Sequence, residues 1–233
     1  MRLSVVIPAL DEAPSLARLL PELPRACPGA EIIVADGGSR DGTPDVARGR
    51  AGVQLVEGAR GRARQMNAGA RQARGDVLLF LHADTRLPDG AAGAIATALE
   101  DPGVVGGRFD VRFDSRRRLL GIVAWSMNAR SRATSICTGD QAIFARRADF
   151  EAVGGYPDIP LMEDIELSRR LKARGRLAAL RARVTTSARK WEREGPLRTV
   201  GLMWALRLLH FCGVAPARLH RWYYGPPKES HHP

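Results

Sequence analysis

Val77-Leu78-Leu79-Phe80-Leu81-His82-Ala83-Asp84-Thr85 is an apolar run that stops abruptly at an imidazole and a carboxylate. Asp76 to Leu81 is long enough for one strand, and a run without polar alternation fits a parallel strand covered by helices on both faces. Such a strand delivers its last polar residues to the carboxyl edge of the sheet, where open parallel α/β sheets bind ligands. His82 and Asp84 are therefore candidate site residues. Taken alone, Asp84 fits a turn cap before Leu87-Pro88-Asp89 equally well.

Toward the amino terminus, Leu3-Ser4-Val5-Val6-Ile7-Pro8 reads as a first strand, followed by the polar turn Asp11-Glu12-Ala13-Pro14-Ser15. Leu16, Leu19, Leu20 and Leu23 then recur at helical spacing until Pro24. Glu31 to Asp36 reads as a second strand, and Gly37-Gly38-Ser39-Arg40-Asp41-Gly42-Thr43 as a glycine-rich turn into a short helix. Strand, helix, strand makes right-handed parallel pairing the default. Val53 to Val56 supplies a third strand, and Gly61 to Ala70 opens the helix that closes near Gly75. Three strands thus end in polar clusters: Pro8 to Glu12, Asp36 to Ser39, and His82 to Asp84. Gathered on one rim, they point to a nucleotide or metal–phosphate site, which outweighs the turn-cap reading.

Past Pro88 the pattern changes. A small-residue helix, Ala91 to Leu99, precedes Val104 to Phe113, where Phe109, Val111 and Phe113 alternate with Arg108, Asp110 and Arg112. That alternation predicts a half-exposed, antiparallel strand. A helix over Leu119 to Met127, a strand over Thr138 to Arg147 and a turn at Gly154-Gly155-Tyr156-Pro157 are expected next. Leu161 to Leu171 suits an amphipathic helix, and strands at Leu177–Arg183 and Thr185–Lys190 complete the body. Leu197 to Phe211 is an apolar helix interrupted by Arg207 and His210, shorter than the roughly 20 residues a membrane span needs. It reads as docked or interfacial. Arg218-Leu219-His220-Arg221-Trp222-Tyr223-Tyr224 mixes bases with aromatics, which suits a membrane surface and packing on its own domain or a second subunit equally.

With 233 residues, 45% of them hydrophobic, the chain can bury a sizeable core and is not a disordered segment. Its three cysteines, Cys27, Cys137 and Cys212, are odd in number and lack CxxC spacing. This argues against a disulfide framework or a cysteine zinc site and suits a reducing cytoplasm. Met1 passes directly into a strand pattern without a cleavage site, so no signal peptide is expected. The net charge of +11 is concentrated at the end of the chain: residues 172–233 hold thirteen Lys or Arg against Glu192, Glu194 and Glu229. Codon bias explains why 33 of the 36 basic residues are Arg, but not why the acids vanish from this quarter. The excess suits a polyanionic partner, an anionic membrane surface or phosphate-bearing ligands.

Several ordered pieces resemble the family 2 glycosyltransferases, inverting enzymes that use nucleotide-diphosphate sugars. Ser4-Val5-Val6-Ile7-Pro8-Ala9-Leu10-Asp11-Glu12 resembles the opening strand and turn of that family, Asp36 to Thr43 its second-strand motif, and Arg74-Gly75-Asp76 to Asp84 its aspartate-x-aspartate strand. Gly139-Asp140-Gln141-Ala142 resembles the acceptor-side strand, and Glu163-Asp164 the pair that supplies the catalytic base. Each piece is weak alone, whereas the ordered set, covering residues 3 to about 195, is specific. The wording of His82-Ala83-Asp84-Thr85 and Arg189-Lys190-Trp191-Glu192-Arg193 is most similar to a bacterial subgroup of small transferases associated with radical-SAM and selenium-related genes.

The resemblance implies an α/β fold of the GT-A type, a Rossmann-like, mostly parallel sheet flanked by helices, with a small antiparallel acceptor-side sheet and a C-terminal helical extension. Residues 1–195 would be the catalytic domain and 196–233 the basic, aromatic extension. Pro8, Ala9 and Glu12 would line the base and ribose pocket, and Asp36 would accept a hydrogen bond from uracil or guanine, consistent with a UDP- or GDP-type donor. Ser39 and His82 join the same nucleotide-binding set. Asp84 would hold Mg²⁺ or Mn²⁺ against the diphosphate, because hard cations prefer oxygen ligands. Arg62 and Arg64 would add charge to the phosphates from the start of a helix, as would Arg189 and Lys190. Asp164 would take the proton of the acceptor during a single displacement.

Two departures stand out. His82 replaces an aspartate that many relatives carry, so ribose contact or metal coordination differs there. Ala188-Arg189-Lys190-Trp191 only partly echoes the glutamine-x-x-arginine-tryptophan motif of processive members, so single transfer is expected. The acceptor is a hydroxyl compound or a lipid phosphate. A cytoplasmic enzyme is expected, with room for peripheral contact at the inner membrane face through residues 197–224 and for a homodimer, and with no nucleic-acid partner. The alternatives are a nucleotidyltransferase, which would release pyrophosphate, and a non-catalytic nucleotide-sugar or membrane-binding module. His210 and His220 are remote candidates for a further metal ligand.

Overall fold

The computed structural model describes residues 1–224, excepting the side chains of Lys190, Pro196, Leu197 and Tyr224; residues 225–233 of the expected extension lie outside the described residues. The chain opens with β1 (Leu3–Ala9), α1 (Ala13–Leu19), α2 (Leu23–Ala26), β2 (Glu31–Asp36), α3 (Thr43–Arg48), β3 (Val53–Glu57) and α4 (Arg62–Gln72). The central run follows as β4 (Val77–Phe80), then β5 (Thr85–Arg86), α5 (Ala91–Ala98), β6 (Val104–Phe113) and α6 (Arg118–Thr134). A 3-10 turn (Gly139–Gln141), β7 (Ile143–Arg146), α7 (Arg147–Ala152), α8 (Glu163–Lys172) and β8 (Arg176–Thr186) complete the body. Three helices end the described chain: α9 (Arg189–Glu194), α10 (Pro196–Phe211) and α11 (Pro216–Tyr224).

All the strands join one sheet in the order β3-β2-β1-β4-β7-β6-β8-β5. β1 pairs in parallel with β2 and β4, and β2 with β3, so these strands end on one edge as their apolar runs predict. The unbroken run of β4 has a direct cause. Val77, Leu79 and Leu81 face one hydrophobic core, with Leu16, Leu19 and Ile95, while Leu78 and Phe80 face the other, with Met66, Phe150 and Leu167. Both faces are dry, so no polar residue has a place in the strand. Close approach is needed as well: a Cβ on Gly69 would stand 2.5 Å from Val6 Cγ1, so only glycine lets α4 lie this near β1.

The second half departs from the expected pattern in four places. β6 is not half-exposed: it lies between antiparallel β7 and parallel β8, and of its residues only Arg112 is exposed. Arg108, 1% exposed, pairs with Asp110 beneath α6, which adds Arg132 to the same carboxylate. Charges that satisfy one another can occupy a buried strand. The two strands expected at Leu177–Arg183 and Thr185–Lys190 are one continuous β8, whose register shift against Phe109 and Asp110 absorbs the irregularity, and the chain after Thr186 turns into α9. The strand expected from Thr138 begins only at Ile143, after the 3-10 turn, and the helix expected to end at Met127 continues to Thr134. The antiparallel strands are continuous with the parallel ones in the same sheet.

The C-terminal helices dock through Leu206 and Leu219 onto Leu161 and Met162, just ahead of α8. Among the described residues no helix is long and apolar enough to cross a membrane.

Candidate functional site

A cavity of about 1170 Å³ opens at the carboxyl ends of β1 and β4 and is closed on its far side by the amino end of α8 and by the C-terminal helices. It brings together Pro8, Ala9, Glu12, Arg62, Arg64, His82, Asp84 and Asp164 from the expected set. Asp36 and Ser39 are not in its lining. Instead they close their own turn: Asp36 Oδ2 accepts from the N–H groups of Gly38 (2.8 Å) and Ser39 (3.0 Å), and Ser39 Oγ donates to Asp36 Oδ1. A carboxylate oxygen has two acceptor positions, so Oδ1 of Asp36 retains capacity for one further donor. His220 lines the cavity, whereas His210 does not. Arg189 approaches Glu12 at 3.8 Å, and the side chain of Lys190 lies outside the described residues.

His82 and Asp84 leave β4 on the cavity rim, but they meet different surroundings. The His82 Nδ1 stands 3.3 Å from Asp140 Oδ1. Its Nε2 is buried without a hydrogen-bond partner, and a Cβ on Gly139 would come within 2.5 Å of it. The Nε2–Cε1 edge of the imidazole therefore abuts Gly139, and its Nε2 is shielded from a metal or ribose in the cavity. Burial pushes the Asp140 carboxyl up, yet the hydrogen bond from His82 and the charges of His82, Arg62 and Arg207 hold it below the usual range. Among the described residues no three His, Cys, Asp or Glu side chains cluster to make a self-contained metal site. One hard carboxylate facing a phosphate-sized space still fits Mg²⁺ or Mn²⁺, since such ions are commonly held by one or two carboxylates plus substrate phosphates.

The opposite wall is the first turn of α8. Met162 adopts φ 69°, an uncommon conformation for a residue with a side chain, and turns the chain so that Glu163 and Asp164 enter the cavity. Acidic residues at a helix amino end are favoured by the backbone dipole. Asp164 is fixed by two backbone donors, Ile165 N–H to Oδ1 at 2.8 Å and Gly139 N–H to Oδ2 at 2.9 Å. Glu163 is buried, with Arg62 Nη1 at 3.4 Å. Burial, and next the Asp164 charge, raise its pKa against the lowering pull of Arg62. Arg64 turns away from Glu163 to pair with Asp158 at 2.8 Å.

Sequence reading missed Gln65, Asp140 and Arg207. Gln65 Nε2 donates to Ala9 O (2.6 Å) and Ala35 O (3.0 Å), tying α4 to the ends of β1 and β2. Its one sequence signal is its place on the same helical face as Met66 and Gly69. Asp140 stands in a motif that carries the resemblance, but its contact with His82 is long-range. Arg207 registers in the sequence only as a charge interrupting an apolar helix.

Residues 4–150 match the family model described as Glycosyl transferase family 2. The chain belongs to this family. A curated relative of this chain, the undecaprenyl-phosphate 4-deoxy-4-formamido-L-arabinose transferase of Aeromonas hydrophila subsp. hydrophila, is 34% identical over 96 residues, covering 36% of this chain and 29% of that protein. The mannosyltransferase of Pyrobaculum calidifontis, solved with GDP-Man and Mn²⁺, superposes with a TM-score of 0.63 at 27% identity, covering 79% of this chain and 56% of that one. S. aureus TarS residues 1–349 with UDP share the fold at a TM-score of 0.65 and 17% identity, covering 80% of this chain and 60% of that one. The chain therefore spans less than two thirds of the length of these relatives, and the mixed sheet flanked by helices is the fold it shares with the solved structures.

Proposed function

We propose that this protein transfers a sugar from a nucleotide-diphosphate sugar to an acceptor oxygen, in a single displacement that inverts the anomeric centre. The observation that supports this best is that one cavity is bounded at once by the strand ends carrying Asp84 and by the helix end carrying Asp164. The relatives add support, since the mannosyltransferase was solved with GDP-Man and Mn²⁺ and the arabinose transferase is named for undecaprenyl phosphate.

In this reading, Pro8, Ala9 and Glu12 line the nucleoside side. Asp84 would hold Mg²⁺ or Mn²⁺, which would supply positive charge to the leaving diphosphate. Arg62 adds charge from the start of α4. Asp164 takes the proton of the acceptor O–H, an alcohol's or a phosphate's, as that oxygen attacks the anomeric carbon. Its two backbone donors hold the carboxylate in one orientation, which is what a positioned base requires. His82 acts by positioning Asp140 and not as a ligand. The division at residue 195 belongs to the proposal too: the body binds the donor and the extension helps to build the acceptor side, at the inner membrane face.

The experiment is release of nucleoside diphosphate from a panel of nucleotide sugars with and without Mn²⁺, in the presence of candidate acceptors. Asp164→Asn should lower turnover by roughly 10²–10⁴-fold while leaving nucleotide affinity nearly intact. Full turnover in that variant would remove Asp164 from the role of base.

A further inference from the structure

We propose that Arg130 and Arg207 form the binding site for the phosphate head group of a lipid acceptor, in a side chamber between α6 and α10 that joins the main cavity. The proposal deepens the glycosyl-transfer reading and rests on it.

The chamber, about 40 Å³, is walled by two helix faces of the same design. Val123, Ser126, Met127 and Arg130 of α6 and Val200, Met203, Trp204 and Arg207 of α10 each follow the i, i+3, i+4, i+7 spacing of one helical face, and each face ends in an arginine. Asp140 and Trp191 complete the lining, and Asp140, Trp191, Met203 and Arg207 also line the main cavity, so the two spaces are continuous.

Among the described residues, Nε and Nη2 of Arg130 and Nε of Arg207 are buried without a hydrogen-bond partner. Buried guanidinium groups are normally paired, because leaving a charged donor unsatisfied is costly. Burial, and next the Arg207 charge, bring Arg130 down to about 10, and burial lowers Arg207 as well. Both stay cationic at neutral pH. Asp140 and Asp164 act on these charges through space, but they leave the three nitrogen donors unfilled. Two forked cations with open donors match a tetrahedral phosphate monoanion, which keeps one O–H for Asp164 to take, better than they match each other.

The apolar surroundings of the chamber give the rest of the ligand its chemistry. Trp204 lines the chamber and is still exposed, and Leu208 and Phe211, on the turn that follows Arg207 in α10, are large apolar side chains left exposed, Phe211 by 88%. Buried charge next to exposed apolar surface selects an amphiphile, a phosphate on a hydrocarbon chain, and would hold its head within reach of the Asp164 charge that acts on both arginines. Apolar surface of this kind on a soluble face marks an interaction site.

Calorimetric titration of the full chain with farnesyl monophosphate tests this, alongside farnesol and inorganic phosphate, with nucleoside diphosphate binding in Mn²⁺ as the donor control. Farnesyl phosphate should bind more tightly than either fragment, and Arg130→Gln and Arg207→Gln should each weaken it at least about tenfold without changing donor affinity. Unchanged lipid-phosphate affinity in both variants overturns the site. So does farnesol binding as tightly, which would mean a purely apolar groove, or inorganic phosphate binding as tightly, which would mean a free-phosphate site. Absence of donor binding in the unmodified chain would sink the glycosyl-transfer reading instead. Melting of Arg130→Met without ligand separates folding from binding: a midpoint at or above that of the parent is expected, and a drop of several degrees would assign the arginine to the fold.

Discussion

The two sides of the cavity are built on opposite principles. On the strand-end side most polar atoms are already engaged: Asp36 closes its own turn, Gln65 ties two strand ends together, and the Nδ1 of His82 meets Asp140, leaving its Nε2 as the exception. On the helical side, guanidinium nitrogens of Arg130 and Arg207 are buried and unfilled. A rim whose polar atoms are mostly engaged is pre-organised, so binding there costs little reordering. A wall that holds unfilled donors is destabilised until a ligand arrives, and it selects that ligand by charge. The same distinction separates what a mutation should do on each side.

The largest stability effect is expected where the strand-end side draws its rigidity. Leu79 is completely buried in the central strand, and Leu79→Ala should cost about 2–5 kcal/mol in chemical denaturation. A cost well under 1 kcal/mol would mean that this side is not the rigid partner. Next comes Asp84→Ala, which should abolish the tightening of nucleoside diphosphate binding by Mn²⁺, a loss of at least about tenfold or 1.4 kcal/mol by calorimetry. An unchanged metal response would put the ion on another residue.

The smallest effect concerns Glu163, which burial and then the Asp164 charge raise and Arg62 opposes. A carboxyl raised on folding binds more protons in the folded than in the unfolded chain just above the ordinary carboxylate range. Stability therefore falls as pH rises through that window. Glu163→Gln removes this loss, so the melting-point advantage of the variant should grow between about pH 4 and pH 7. An advantage that stays flat or shrinks would contradict the placement of Glu163.

The strand-end side was also the side most legible in the sequence. The run from Val77 to Leu81 carries its own explanation, because a strand dry on both faces has no room for polar alternation. Asp36 and Ser39 stand at a strand end, and the resemblance assigns them to the nucleotide, but their spacing is also that of a carboxylate capping its own turn. Sequence does not separate the two. β6 misled for a related reason: the alternation of Arg108 and Asp110 with aromatics reads as exposure, and only the fold reveals that the two charges neutralise each other under α6. Asp140, Arg130 and Arg207 acquire meaning from helices that meet across the cavity, and no local pattern records that meeting. Glu163-Asp164 was the exception, an acidic pair whose place at a helix start was readable and whose entry into the cavity required Met162 at positive φ.

The central claim is a nucleotide-diphosphate-sugar site on the strand-end rim, and thermal shift of the full chain with UDP, GDP, ADP, CDP and dTDP, each with and without Mn²⁺, tests it most directly. Stabilisation follows affinity by mass action. At least one nucleotide should raise the melting midpoint, and Mn²⁺ should enlarge that rise in the unmodified chain but not in Asp84→Ala. No shift from any of the five, with or without the metal, would contradict the account.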